Sequence, residues 1–204
     1  LKLPADTDIS QILYQETENR FLLVSPEKIM AFIPGEPLKE LYVGSGITCA
    51  ALTNEGSKIV VGTSTGYFYI GENKLVKNVP WPEITTMQEI DGSLWFGTTW
   101  GAYKLLENGS YSYYSGERWL PGNEVVGMAK GPEKSVLILT NNGVGSIQTD
   151  FMTLEDKAMF YEKQVRKKNI RYGFNCSVSK LPNGYASAVM KDQPSDNLWT
   201  AMYL

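Results

Sequence analysis

Apolar and polar residues alternate along much of this chain, and the alternation comes in short bursts. "ITCAAL" (47–52), "ITTMQEI" (84–90) and "VVGMAK" (125–130) each read as a strand with period-two patterning. Each is followed by a polar turn, "TNEGSK", "DGS" or "GPEKS", and then by a second apolar stretch, "IVVGT", "LWFGT" or "VLILT". The second stretch always runs into the same phrase, Thr-x-x-Gly: Thr63–Gly66, Thr98–Gly101 and Thr140–Gly143. A further strand and a weaker last one follow.

The phrases are in register. Gly97 and Gly101 lie 35 residues after Gly62 and Gly66. Thr140 and Gly143 follow Thr98 and Gly101 at a longer interval, lengthened by the extra "YSGERWLPGNE" at 114–124. The glycines have a mechanical reason, since a tight turn between two strands needs a residue at positive φ. The threonines suit strand ends and can bond the turn backbone. Four short strands in ~40 residues is the period of a propeller blade. The predicted fold class is therefore all-β: propeller blades of four antiparallel strands, a partial propeller within this chain. The unit at 9–43 follows the pattern less closely, with "RFLLVSPEKIMAFI" supplying its middle two strands.

The period ends after Phe151. In "TLEDKAMFYEKQVRKKN", Thr153 is placed as an N-cap, with Glu155 and Asp156 in the first turn. Leu154, Ala158, Tyr161 and Val165 fall at helical spacing, and Lys163, Arg166, Lys167 and Lys168 crowd the C-terminal end, as a solvated helix end does. The expected division is residues 1–152 for the blades and 153–204 for the helix with a C-terminal extension. In that extension, "DNLWTAMY" reads either as a strand echoing "GSLWFGTT" or as a helix capped by Asp196 or Asn197.

Composition narrows the chemistry. The 204 residues carry a net charge of −3 with no stripe of Lys/Arg among the aromatics, which argues against nucleic acid as a partner. No apolar run is long enough to span a membrane. There is no histidine, which removes Ser-His-Asp and Cys-His catalysis and, with only Cys49 and Cys176, a zinc site or disulfide framework. No metal and no cofactor are expected. Cys49, in an apolar strand, reads as a buried free thiol. Asn108-Gly-Ser and Asn175-Cys-Ser match the glycosylation sequon at about the frequency chance supplies. A chain that begins at Leu1 without methionine is expected to be a fragment or to have lost a signal peptide.

"LWFGTTWGAYKL" followed by "WLPGNEVVGMAKGPEKSVLILT" resembles the two-component-regulator propeller repeat, over roughly 47–150. Val60-Val61 stands in place of the repeat's Leu-Trp pair, and Leu139 in place of the glycine before Thr140. The resemblance implies a secreted or periplasmic location and a binding or scaffold role. A second resemblance joins "FYEKQVRKKNIRYGF" and "SDNLWTAMYL" to the junction that leads, in some secreted propeller proteins, into an α-helical toroid of sugar-processing enzymes. It favours the helical reading of the tail and implies that a helical domain starts there.

Candidate site residues follow from the expected blade ends, where loops of several blades gather. Trp100 sits inside a turn that holds only small polar residues elsewhere, and Tyr67 lies just past the equivalent glycine. Arg118 and Trp119 belong to the long connection after it, and Asn141 and Asn142 to the sister turn. Aromatics among Arg and Asn suit a carbohydrate or another flat polar ligand, because rings bury its apolar face while polar groups orient it. The competing reading places Tyr67, Trp95, Tyr103 and Trp119 in the core between blades. Without histidine, catalysis would fall to carboxylates such as Asp91, Glu117, Glu124, Asp192 and Asp196. Three functions stay open: a ligand-binding or sensor module, the non-catalytic N-terminal part of a sugar-processing enzyme, and a protein-interaction scaffold. Three blades and a fragment are too few to close a ring, so further sequence or self-association through strand edges is expected to complete it.

Overall fold

The computed structural model describes residues 8–72, 74–171, 174–179, 189–191 and 200–202. The chain divides into two compact units, Leu1–Thr149 and Asp150–Leu204.

The first unit holds four consecutive antiparallel sheets. The first comprises β1 (Gln11–Gln15), β2 (Arg20–Val24), β3 (Lys28–Phe32) and β4 (Lys39–Val43), paired in that order. The second comprises β5 (Ile47–Thr53), β6 (Lys58–Thr63) and β7 (Gly66–Tyr69), with a single bridge from Tyr67 to Val76 where a fourth strand would lie. The third is again four-stranded: β8 (Ile84–Ile90), β9 (Ser93–Thr98), β10 (Gly101–Leu105) and β11 (Tyr111–Tyr114). The fourth comprises β12 (Val125–Lys130), β13 (Ser135–Thr140) and β14 (Gly143–Gln148). The first strands of successive sheets, β1, β5, β8 and β12, pack side by side. Meandering sheets stacked through their inner strands are propeller blades. The expectation of four strands in each blade holds for the first and third; the second and fourth have three.

Because the second and third blades are covered on both sides, their middle strands bury both faces. In β6, Ile59 and Val61 join a core with blade one, while Val60 joins a separate core with blade three. One cluster fills each gap between successive blades. Leu22, Val24 and Ile29 meet Ala50 and Phe68 in the first; Tyr67 meets Phe96 and Tyr103 in the second; Trp95 and Ala102 meet Val125 and Ile138 in the third. Polar side chains stitch the inner strands. The Gln11 amide donates to the Ala50 carbonyl (3.0 Å) and accepts from its N–H (2.8 Å), and Thr85 donates to the Val125 carbonyl at 2.6 Å.

The Thr-x-x-Gly phrase is a two-residue hairpin turn with one set of bonds. The threonine Oγ1 donates to the glycine carbonyl at 2.8 Å (Thr63–Gly66), 2.7 Å (Thr98–Gly101) and 2.9 Å (Thr140–Gly143). The same oxygen accepts the N–H two residues on, from Thr65, Trp100 and Asn142. Gly66, Gly101 and Gly143 take φ of 135°, 98° and 146°, as the spacing predicted. The first blade has a related turn that its sequence disguises. Ser25 Oγ donates to the Lys28 carbonyl (3.0 Å) and accepts from the Lys28 N–H (3.1 Å), so a serine hydroxyl bonds the equivalent carbonyl while the N–H it accepts lies one residue further on.

In the second unit, α1 (Leu154–Lys168) begins at Thr153, whose side chain accepts from the Asp156 N–H. Glu155 and Asp156 lie in its first turn and Arg166, Lys167 and Lys168 in its last, each sign where the helix dipole favours it. None of its residues is buried, and the predicted apolar positions Leu154 and Tyr161 are exposed. Hairpins β15 (Ile170–Arg171) with β16 (Phe174–Asn175), and β17 (Ser177–Ser179) with β18 (Val189–Lys191), follow. Residues 200–202 are helical, and Thr200 Oγ1 accepts from the Asn175 N–H at 2.9 Å. Asp192, Asp196 and Asn197 lie outside the described residues.

Candidate functional site at the blade ends

Turns between second and third strands share one end of the first unit with the connections between blades. There a cavity of about 410 Å³ lies between blades three and four. Its walls are the turn Thr99–Trp100, the connection 116–124 and the turn Asn141–Asn142.

Backbone hydrogen bonds hold these walls. The Gly101 N–H donates to the Asn123 carbonyl at 2.6 Å, and the Asn141 N–H donates to the Glu124 carbonyl at 3.0 Å. The Asn123 side chain accepts from the Gly116 N–H at 2.9 Å, and buried Leu120 anchors the middle of the connection in the third core cluster. A loop pinned at both ends and in its middle presents its side chains with little left to order on binding.

Trp100 forms one wall and is 51% exposed. Its ring lies against Trp81, centroids 6.2 Å apart. Trp81 is itself held, because its Nε1–H donates to Thr99 Oγ1 at 2.8 Å and that hydroxyl donates to Glu83 at 2.5 Å. The Tyr113 hydroxyl donates to the Trp100 carbonyl. A large apolar ring is thus fixed in orientation yet left open to solvent, as a stacking surface requires.

Of the predicted site residues, Trp100, Asn141 and Asn142 converge on this cavity. Tyr67 does not. It is 4% exposed in the core between blades two and three, its hydroxyl paired with that of Tyr111 at 3.1 Å, because the position after the turn glycine points into the neighbouring blade. Burial keeps its hydroxyl protonated far above the usual tyrosine range. Arg118 and Trp119 do not line the cavity either. The Arg118 guanidinium sits 5.2 Å from the centre of the Trp119 ring, and Trp119 packs edge-on against Tyr114. Trp95 and Tyr103 are core, at 3% and 0% exposure.

The carboxylates also sort themselves. Glu117 and Glu124 line the same cavity as Trp100. Asp91 lies at the opposite end of the unit, in the turn between β8 and β9, where it accepts an ion pair from Lys130 at 2.5 Å. That end carries a larger, shallower depression of about 1160 Å³ with charges of both signs, among them Lys58, Lys104, Glu55 and Glu89. Among the described residues, no three His, Cys, Asp or Glu side chains are grouped to hold a metal. Cys49 is a free thiol, buried as expected.

Trp81 and Asn123 escaped the sequence reading. A signal was present for Trp81: "VPWPEI" precedes β8 as "PGNEV" precedes β12, so Glu83 and Glu124 hold equivalent places. Both backbone carbonyls accept the first N–H of the adjoining turn, from Thr99 and Asn141 respectively.

No protein-family model matches the chain, and no curated protein sequence matches it. Solved structures do. The extracellular domain of a hybrid two component system from B. thetaiotaomicron superposes with a TM-score of 0.57 at 17% identity, over 74% of this chain and 23% of that one. A second such domain from the same organism gives 0.56 at 14% identity, over 72% and 22%. Virginiamycin B lyase from Staphylococcus aureus gives 0.50 at 15% identity, over 72% and 58%. The chain spans about a quarter of the length of the two extracellular domains. With the repeated hairpin turn and the stacked meanders, these likenesses establish an all-β fold built of propeller blades.

Proposed function

We propose that this chain is a ligand-binding module of sensor type, acting outside the cytoplasm, and that its ligand is a carbohydrate seated on Trp100. The observation that carries the reading is the indole ring, held by Trp81 and half exposed beside Glu117, Glu124, Asn141 and Asn142. A pyranose ring presents an apolar face that stacks on an aromatic ring and a rim of hydroxyls that bond carboxylates and amides. Such a cavity has what that ligand needs. The fold shared with extracellular domains of two component systems supports the same reading.

Screening the chain on a glycan array, followed by titration of tryptophan fluorescence with the best binders, tests the proposal. Trp100→Ala is expected to weaken binding at least about tenfold, or ~1.4 kcal/mol, with the melting temperature nearly unchanged. A melting temperature lowered as a core tryptophan would lower it, or affinity that survives the substitution, removes Trp100 from the site.

A further inference from the structure

The charge of the cavity assigns its ligand more narrowly, and this step rests on the saccharide reading above. A site containing Arg118 would carry both signs and could hold a uronate or sulfated sugar. The structure takes Arg118 out, since its guanidinium lies over the Trp119 ring and neither residue lines the cavity. The charged side chains that line the cavity are Glu117 and Glu124, both carboxylates. A third carboxylate, that of Glu83, stands behind the turn, accepting from the Thr99 hydroxyl. The remaining polar side chains are the Thr99 hydroxyl, engaged by Trp81 and Glu83, and the amides of Asn123, Asn141 and Asn142, of which Asn123 is engaged with the loop backbone.

We propose that this site binds an amine-bearing saccharide, with the protonated amine held by Glu117 and Glu124 and the sugar ring against Trp100. Two physical terms point the same way. Two carboxylates with no cation lining the cavity repel an anionic ligand and attract a cationic one. The face of an exposed indole also carries negative potential and attracts an ammonium group, best of the aromatic side chains. The cavity therefore discriminates by sign of charge, a property that neither the stacking ring nor the asparagines would confer alone.

The test compares three size-matched probes by titration of the intact chain in low-salt buffer acidic enough to protonate the amines: short oligomers of glucosamine, glucose and glucuronate. The glucosamine oligomer is expected to bind at least about tenfold tighter than the glucuronate oligomer, with an advantage that shrinks as salt is added. Glu117→Gln and Glu124→Gln should each weaken the glucosamine oligomer by about fivefold or more, leaving the glucose oligomer little changed. Equal or better binding of glucuronate, or indifference of the glucosamine oligomer to both glutamine variants, overturns the charge assignment. If the glucose oligomer still binds in a Trp100-dependent way, the saccharide site stands without it. If none of the three probes binds, both readings fall together.

Discussion

A methyl group on Gly97 would lie 2.5 Å from Cγ1 of Val125, on the first strand of the next blade. Gly62 holds the same register one blade earlier, where a Cβ would meet Cys49 Sγ at 2.7 Å and Ile84 Cγ2 at 2.9 Å. The glycine before the turn threonine is thus a packing requirement between blades. Gly97→Ala should destabilise the unit by ~1–3 kcal/mol through overpacking, read as a lowered denaturation midpoint at unchanged slope. Leu139, at the same register in β13, is 45% exposed, and Leu139→Ala should cost far less. Equal costs at the two positions would contradict this account.

Thr98 Oγ1 is buried and makes two bonds, donating to the Gly101 carbonyl and accepting from the Trp100 N–H. Thr98→Val should lose ~1–3 kcal/mol, because the shape is kept while both turn partners are left unpaired. Thr98→Ser should restore most of that, since Ser25 already fills the role in the first blade. A serine variant no better than valine would mean that methyl packing, rather than the hydroxyl, holds the turn.

Tyr103 stacks on Phe96, and its hydroxyl is buried without a hydrogen-bond partner. Burial pushes its ionisation well above the usual range. Tyr103→Phe should therefore be neutral or stabilising, because removal of an unsatisfied polar atom relieves its desolvation cost. Tyr67→Phe removes a hydroxyl that is paired with Tyr111 and should cost ~1 kcal/mol. Thermal melts should show a loss for Tyr67→Phe and none for Tyr103→Phe on this account, and a clear loss for Tyr103→Phe would show a partner that the fold brings to it.

Burial pushes the Cys49 thiol from 9.0 to about 12. An acid whose folded pKa is raised keeps the fold's full stability below the unfolded value and loses it as pH climbs, because the unfolded chain ionises first. Stability should thus fall above pH 9, by up to ~1.4 kcal/mol per pH unit, toward pH 12. Tyrosines, which begin near 10.0, add to the loss higher up. Between those two values the effect belongs mainly to the cysteine. Denaturation of the Cys49→Ala variant should show a flatter profile there than the natural chain. The folded thiol should also resist alkylation at neutral pH.

The sequence by itself determined the blades. Period-two runs, polar turns and Thr-x-x-Gly are local patterns, and their physics, strand pleat, turn φ and hydroxyl capping, is complete within a few residues. For the same reason the helix after Thr153 was legible from its cap and its charges. The first blade's turn was missed because a serine, Ser25, makes the hydroxyl bond there and no turn glycine marks it. Only the tertiary structure decided which aromatics meet a ligand. Tyr67 and Trp100 sit two residues from equivalent places in the phrase, yet Tyr67 faces a neighbouring blade that buries it while Trp100 lies in the turn itself, beyond the reach of that packing. The cavity joins Trp100 to Glu117, Glu124 and Asn141, which come from a turn, a connection and the turn of the next blade. Its charge turned on which residues of the connection line it, Glu117 and Glu124 but not Arg118. Convergence of that kind depends on how one blade stacks on another, a long-range packing that no run of neighbouring residues encodes.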